Sequence, residues 1–157
     1  MQTLTGPEFK TCCAGLYQDQ LLQFLLGSSL HPGGLNSTGR LADAIGLSSQ
    51  DATLDIASGL GETARFLVGK YGCKVTGVDL SMKLAKQSSD AGGREAQFLV
   101  GDAERLPFRH DTFTTVLSEC SMCLLPGFRQ GLSEIARVLS PGGRRRNRHH
   151  GYREPTS

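Results

Sequence analysis

The stretch TLDIASGLGETA, from Thr53 to Ala64, decides how the rest of the chain reads. An apolar run (Leu54, Ile56, Ala57) carries one acidic residue, Asp55, and breaks on Gly59 and Gly61. It then continues with Ala64, Leu67, Val68 and Tyr71 at helical spacing. A strand, a tight glycine turn and a helix N-terminus in succession bring a sharply bent backbone and the first amides of a helix to one place. That combination makes a nucleotide-like ligand the first expectation.

Working outward, the spacing before this stretch predicts a helix over 17–26, a turn at HPGG (31–34) and a short helix over 38–45. In the short helix Leu41, Ala44 and Ile45 should face the core. After it come a strand over 74–78 ending in Asp79, a helix capped by Ser81 and carrying Leu84 and Ala85, and a loop at Ala91-Gly92-Gly93. A third strand spans 96–100 and closes on Gly101-Asp102, and a fourth spans 113–117. Phe128, Leu132, Ile135, Ala136 and Leu139 lie on one face of a last helix, stopped at Pro141-Gly142-Gly143. Strands alternating with helices at this spacing imply βαβ units on a parallel sheet. The predicted fold is α/β, a Rossmann-like three-layer αβα sandwich.

The 157 residues fit one domain, and 38% hydrophobic with 20% charged residues allows a packed core. No apolar run approaches the roughly 20 residues that span a bilayer, and the N-terminus lacks a basic-then-apolar leader. Five cysteines without framework spacing fit free thiols in a reducing cytosol, so a cytoplasmic protein is expected, not one acting at a membrane. The formal net charge of +2 divides unevenly: residues 144–157 contribute +4, leaving the rest at −2. The arginine run at 144–146 has no aromatic interleaving, so it reads as a solvated, disordered tail and not as a nucleic-acid surface.

Three acids fall at strand ends: Asp55, Asp79 and Asp102. An acid after the second strand can accept both hydroxyls of a ribose, and Asp102 with the Ala103 amide is placed for an adenine edge. Asp55, nearer the centre, suits a ligand with positive charge. GLGETA at Gly59 to Ala64 formally matches a dinucleotide fingerprint, but Asp55 and Glu62 would repel pyrophosphate.

The ordered set LDIASGLG, VTGVDLS, VGDAERLPF, FTTVLSE and ARVLSPGG resembles class I S-adenosylmethionine-dependent methyltransferases over 53–143. The resemblance implies that Asp55, Gly59 and Gly61 hold the methionine part of the cofactor, Asp79 the ribose, and Leu80, Asp102 and Ala103 the adenine. With Ala57 and Ser118 these form the candidate cofactor-binding set. CCAGLY, LLGSSLHPGGL and SECSMC are similar to bacterial arsenite methyltransferase-like proteins, which implies Cys13, Cys120 and Cys123 as thiolates for a soft small-molecule acceptor such as arsenite. No resident metal is expected. Buried inert thiols, a zinc half-site and a redox pair are the plainer readings of these cysteines.

The expected organisation is a helical cap segment over 1–50, a cofactor-binding core over 51–143 and the basic tail over 144–157. Where the family continues with an apolar fifth strand, this chain has Arg144-Arg145-Arg146, which reads as a truncation that leaves the sheet without its C-terminal strands. The fourth strand should then expose an unpaired edge, open to self-association. Two other functions stay open: a catalytically impaired chain that only binds cofactor or a partner, and a fragment of an NAD-binding oxidoreductase.

Overall fold

The computed structural model describes residues 33–91, 95–122 and 125–148, with 144–148 described by backbone alone. The expected helix over 17–26, His31 and Pro32 of the HPGG turn, and the Gly92-Gly93 pair lie outside these residues. In chain order the elements are α1 (Gly34–Ala44), β1 (Ala52–Ile56), α2 (Glu62–Tyr71), β2 (Lys74–Asp79), α3 (Met82–Asp90), β3 (Ala96–Val100), β4 (Phe113–Glu119), α4 (Phe128–Val138) and β5 (Leu139–Arg148). The five strands form one sheet in the order β3-β2-β1-β4-β5, and every pairing is parallel.

Parallel strands buried on both faces need apolar residues on both, and β1 supplies them. Leu54 and Ile56 join Val78, Val116, Phe113, Ile135 and Val138 on the α4 side of the sheet. Leu117, Val75, Ala64, Leu67 and Ala42 form the core on the α1–α2 side. Fully burying a side chain such as Leu54 or Leu67 contributes about 1.5–3 kcal/mol. The ends of α3 are set by Ser81, whose hydroxyl accepts the Leu84 N–H at 3.2 Å, and by contact with β2 and β3.

Two local devices fix the connections between strands. Phe98 fills the space beside two glycines: a Cβ at Gly61 would lie 2.5 Å from its ring, and one at Gly77 would lie 2.6 Å from the ring and 2.7 Å from the Ser58 hydroxyl. Gly61 also carries φ +76, which a side chain disfavours. On the other face, Arg137 donates to the carbonyls of Phe108 (2.7 Å) and Leu106 (3.0 Å) while paired to Glu134. Glu134 in turn accepts the Leu106 N–H at 2.7 Å, so α4 pins the linker between β3 and β4.

Four expectations are corrected. The arginine run is strand: β5 pairs with β4 from Thr115–Arg144 to Glu119–Arg148, so the expected open edge of β4 is covered and the tail does not begin at 144. Backbone pairing needs only N–H and C=O groups, which an arginine-rich segment supplies as well as an apolar one. Pro141-Gly142-Gly143 does not stop α4, which ends at Val138. It lies within β5, where the pairing jumps from Phe113–Leu139 to Thr115–Arg144 and Gly142 takes φ +79. In α4, Val138 is buried where Ala136 and Phe128 were expected, and these two are exposed. In α1 the helix starts at Gly34, and Ser37, Thr38, Gly39 and Ala42 are the buried face while Ala44 is exposed.

Gly77→Ala is expected to destabilise the fold by about 1–3 kcal/mol, because the added methyl overlaps Phe98 and Ser58. A urea melt of Gly77→Ala with an unshifted midpoint would show that the Phe98 ring moves aside without cost.

Candidate functional site

All five strands point the same way, so their carboxyl ends share one rim. The chain leaves β1 at Ile56, turns through Ala57 (φ +58), and crosses toward β2, where the Ser58 N–H donates to the Val78 carbonyl at 3.1 Å. Gly59 (φ +52) and Gly61 complete the turn, and the Gly61 N–H closes it on the Ser58 carbonyl at 2.8 Å.

Asp79, at the end of β2, organises this turn. Its Oδ2 accepts the Gly59 N–H at 2.9 Å and its Oδ1 accepts the Ser81 N–H at 2.8 Å. Each oxygen keeps a second lone pair, so a hydroxyl-bearing ligand can still bond there. Ser88 of α3 donates to the Gly59 carbonyl at 2.8 Å, tying the same turn from a second side. Burial pushes the Asp79 carboxyl above its ordinary range, against the pull of the two amides.

Asp55 lies one strand over, beside Gly77 of β2 and Leu117 of β4. It is 3% exposed, and its Oδ2 has no hydrogen-bond partner among the described residues. Burial first, then the carboxylates of Glu119 and Asp79, raise its pKa well above the usual value. Alternation along β4 from Leu117 puts Glu119 on the same face as Asp55. There the Glu119 Oε2 accepts the hydroxyls of Thr38 in α1 at 2.8 Å and Thr63 in α2 at 3.4 Å.

The remaining candidates divide. The Asp102 Oδ1 accepts the Glu104 N–H at 2.9 Å, and the neighbouring Gly101 N–H bonds the Asp79 carbonyl at 3.0 Å, which places Asp102 on the same rim next to Asp79. Ala103 is half-buried against the α4-side core, and Leu80 is exposed beside Asp79. Ser118 is buried with its hydroxyl 2.6 Å from that of Ser121. Cys120 is half-buried just beyond β4 with φ +56, while Cys13 and Cys123 lie outside the described residues. Among the described residues no group of three His, Cys, Asp or Glu side chains is disposed to hold a metal ion. Glu62 pairs with Arg65 at 3.1 Å, so Asp55 is the charge that opposes a pyrophosphate here.

From the sequence Glu119 reads only as a residue near the end of the fourth strand, with a base or a positioning role equally open, while Thr38 and Thr63 are absent from the sequence-derived site set. The period-2 pattern of β4 carries a signal for Glu119, once the strand is extended past Leu117. No pattern in the sequence marks the two threonines.

A carboxyl whose folded pKa exceeds its unfolded value favours the folded state below the unfolded pKa, and that contribution is lost as pH rises through the raised value. Asp55→Asn is therefore expected to melt higher than the wild type near neutrality, with the gap closing as pH falls toward about 4. Parallel melting curves across that range would mean that Asp55 ionises normally.

The sequence pattern of a family described as "Methyltransferase domain" matches residues 54–145. The chain is similar to methyltransferase GfsG of Streptomyces halstedii, with 33% identity over 125 residues, covering 74% of this chain and 45% of that protein. It is similar to demethylmenaquinone methyltransferase of Thermus thermophilus, with 35% identity over 95 residues, covering 58% of this chain and 43% of that one. The chain thus spans less than half the length of both. The fold is shared with a Haemonchus contortus phosphoethanolamine N-methyltransferase solved with phosphomonomethylethanolamine and S-adenosylhomocysteine. That match has a TM-score of 0.77 at 24% identity and covers 91% of this chain and 35% of that one.

Proposed function

We infer the function from one premise: this chain belongs to the methyltransferase domain family, whose members take their methyl group from S-adenosylmethionine. We propose that it binds this donor at the carboxyl rim and directs methyl transfer to a small acceptor. The observation that carries the reading is Asp55, a buried carboxylate with an unpartnered oxygen beneath a glycine turn. An unpaired buried acid is costly unless a cationic ligand completes it, and the donor carries both an ammonium and a sulfonium. The residues present therefore fit it.

When bound, the donor supplies a methyl group activated by positively charged sulfur. The chain's own residues hold and screen it. Asp55 takes the ammonium, Asp79 takes ribose hydroxyls through its remaining lone pairs, and Leu80, Asp102 and Ala103 border the adenine. Gly59 and Gly61 let the backbone pass close to the ligand. Ala57 and Ser118 flank it at the ends of β1 and β4. Holding donor and acceptor in line accounts for roughly 7–11 kcal/mol of such a barrier, so the proposal needs no general base. The same charge pattern disfavours a nicotinamide dinucleotide, whose pyrophosphate would sit against Asp55.

Cys120, half-buried one residue beyond Glu119 at this rim, favours a narrower reading in which the acceptor is a soft metalloid such as arsenite held by thiolate, with Cys13 and Cys123 as its further ligands. Loss of arsenite methylation in Cys120→Ser, with S-adenosylhomocysteine binding retained, is the outcome that supports it. Unchanged turnover removes it.

Calorimetry tests the main reading. S-adenosylhomocysteine is expected to bind and NAD to give no heat. Asp79→Asn should weaken the former about 10- to 100-fold, the range for a lost charge-assisted hydrogen bond. Binding of NAD with silence toward S-adenosylhomocysteine would overturn the assignment. Binding without turnover of any acceptor would leave a cofactor-binding chain that is catalytically impaired.

A further inference from the structure

We propose that Glu119 is a second acid of the donor pocket, forming with Asp55 a two-carboxylate subsite for the ligand's ammonium group, and that Thr38 of α1 is the positioning residue that sets it. This rests on the reading of the rim as a donor site. Three observations carry it. First, Glu119 and Asp55 stand on the same face of adjacent strands, Asp55 pairing with Leu117 and Glu119 lying two residues further along β4. Their carboxylates are close enough for Glu119 to act on Asp55. Second, the Asp55 Oδ2 is buried without a partner among the described residues, so the position between the two acids calls for a donor that neither β1 nor β4 provides. A primary ammonium has three N–H donors and one positive charge, which suits two facing carboxylates.

Third, Glu119 is held from two elements at once. Thr38 is fully buried, and its hydroxyl donates to Oε2 at 2.8 Å, with Thr63 adding a longer bond at 3.4 Å. Both are neutral donors, and together they fix how the carboxylate is oriented. Among the described residues, the charged groups that act on Asp55 come from β4 (Glu119) and β2 (Asp79). The neighbouring faces of α1 and α2 offer Ser37, Thr38 and Thr63, none of which titrates in the ordinary range. Thr38 precedes the family-matched region, so α1 contributes directly to a site otherwise built from the core.

Two probes separate a direct role from a structural one: S-adenosylhomocysteine, which carries the amino-acid part, and 5′-methylthioadenosine, which lacks it. Glu119→Gln is expected to weaken the first about tenfold or more and to leave the second unchanged. Thr38→Val should shift the same ratio in the same direction by a smaller factor, and Thr38→Ser should restore it. If Glu119→Gln weakens both probes equally, or neither, the subsite is wrong. Failure of the underlying reading looks different: the wild type itself would give no heat with S-adenosylhomocysteine.

Discussion

A carboxylate that accepts one backbone N–H from each of two turns is the constraint on which the rim depends. Asp79 joins the turn after β1, through Gly59, to the turn after β2, through Ser81. Charge-assisted bonds of this kind contribute more than neutral ones, and here they hold two loops whose own backbones are irregular. Ser88 adds a third element by bonding the Gly59 carbonyl. The glycine turn is therefore fixed by the second strand and third helix before any ligand arrives. Pre-organisation of that kind lowers the ordering cost of binding.

Beside this fixed turn, several buried polar groups stay unsatisfied among the described residues. Asp55 is buried with one oxygen unpartnered, and the hydroxyls of Ser37, Ser58 and Thr115 are buried in the same condition. Each such group costs about 1–3 kcal/mol if left unmade. Their concentration around β1 and the elements against it contrasts with the α4 face, where Leu54, Ile56, Val116 and Ile135 pack as a continuous apolar layer. Both faces are packed, but the α1–α2 face also holds buried polar groups that lack a hydrogen-bond partner among the described residues. The proposed function follows from that asymmetry.

Much of this was legible in the sequence because it rests on short-range patterns. The glycine turn, the Ser81 cap and the β3 boundaries need only local chemistry, and β3 spans Ala96–Val100 as read. What was missed depends on partners far along the chain. The buried face of α1 is Ser37, Thr38, Gly39 and Ala42, and hydroxyls leave no trace in a hydrophobic pattern when their partner is Glu119, some eighty residues away. The pairing of β5 with β4 was unreadable for a related reason: backbone hydrogen bonding is indifferent to side-chain polarity, so an arginine run can extend a sheet that its composition argues against.

The ring of Phe98 sits against both Gly61 and Gly77, one at the start of α2 and the other within β2. Volume at these three positions is therefore a shared quantity, and none of them can drift alone. A homologue with smaller residues in place of both the ring and Ser58 would have room for alanine in the strand, though not at Gly61, whose dihedral angle excludes it independently. Co-variation between the third strand and the second, with an invariant glycine at the helix start, is the evolutionary trace such a wedge should leave.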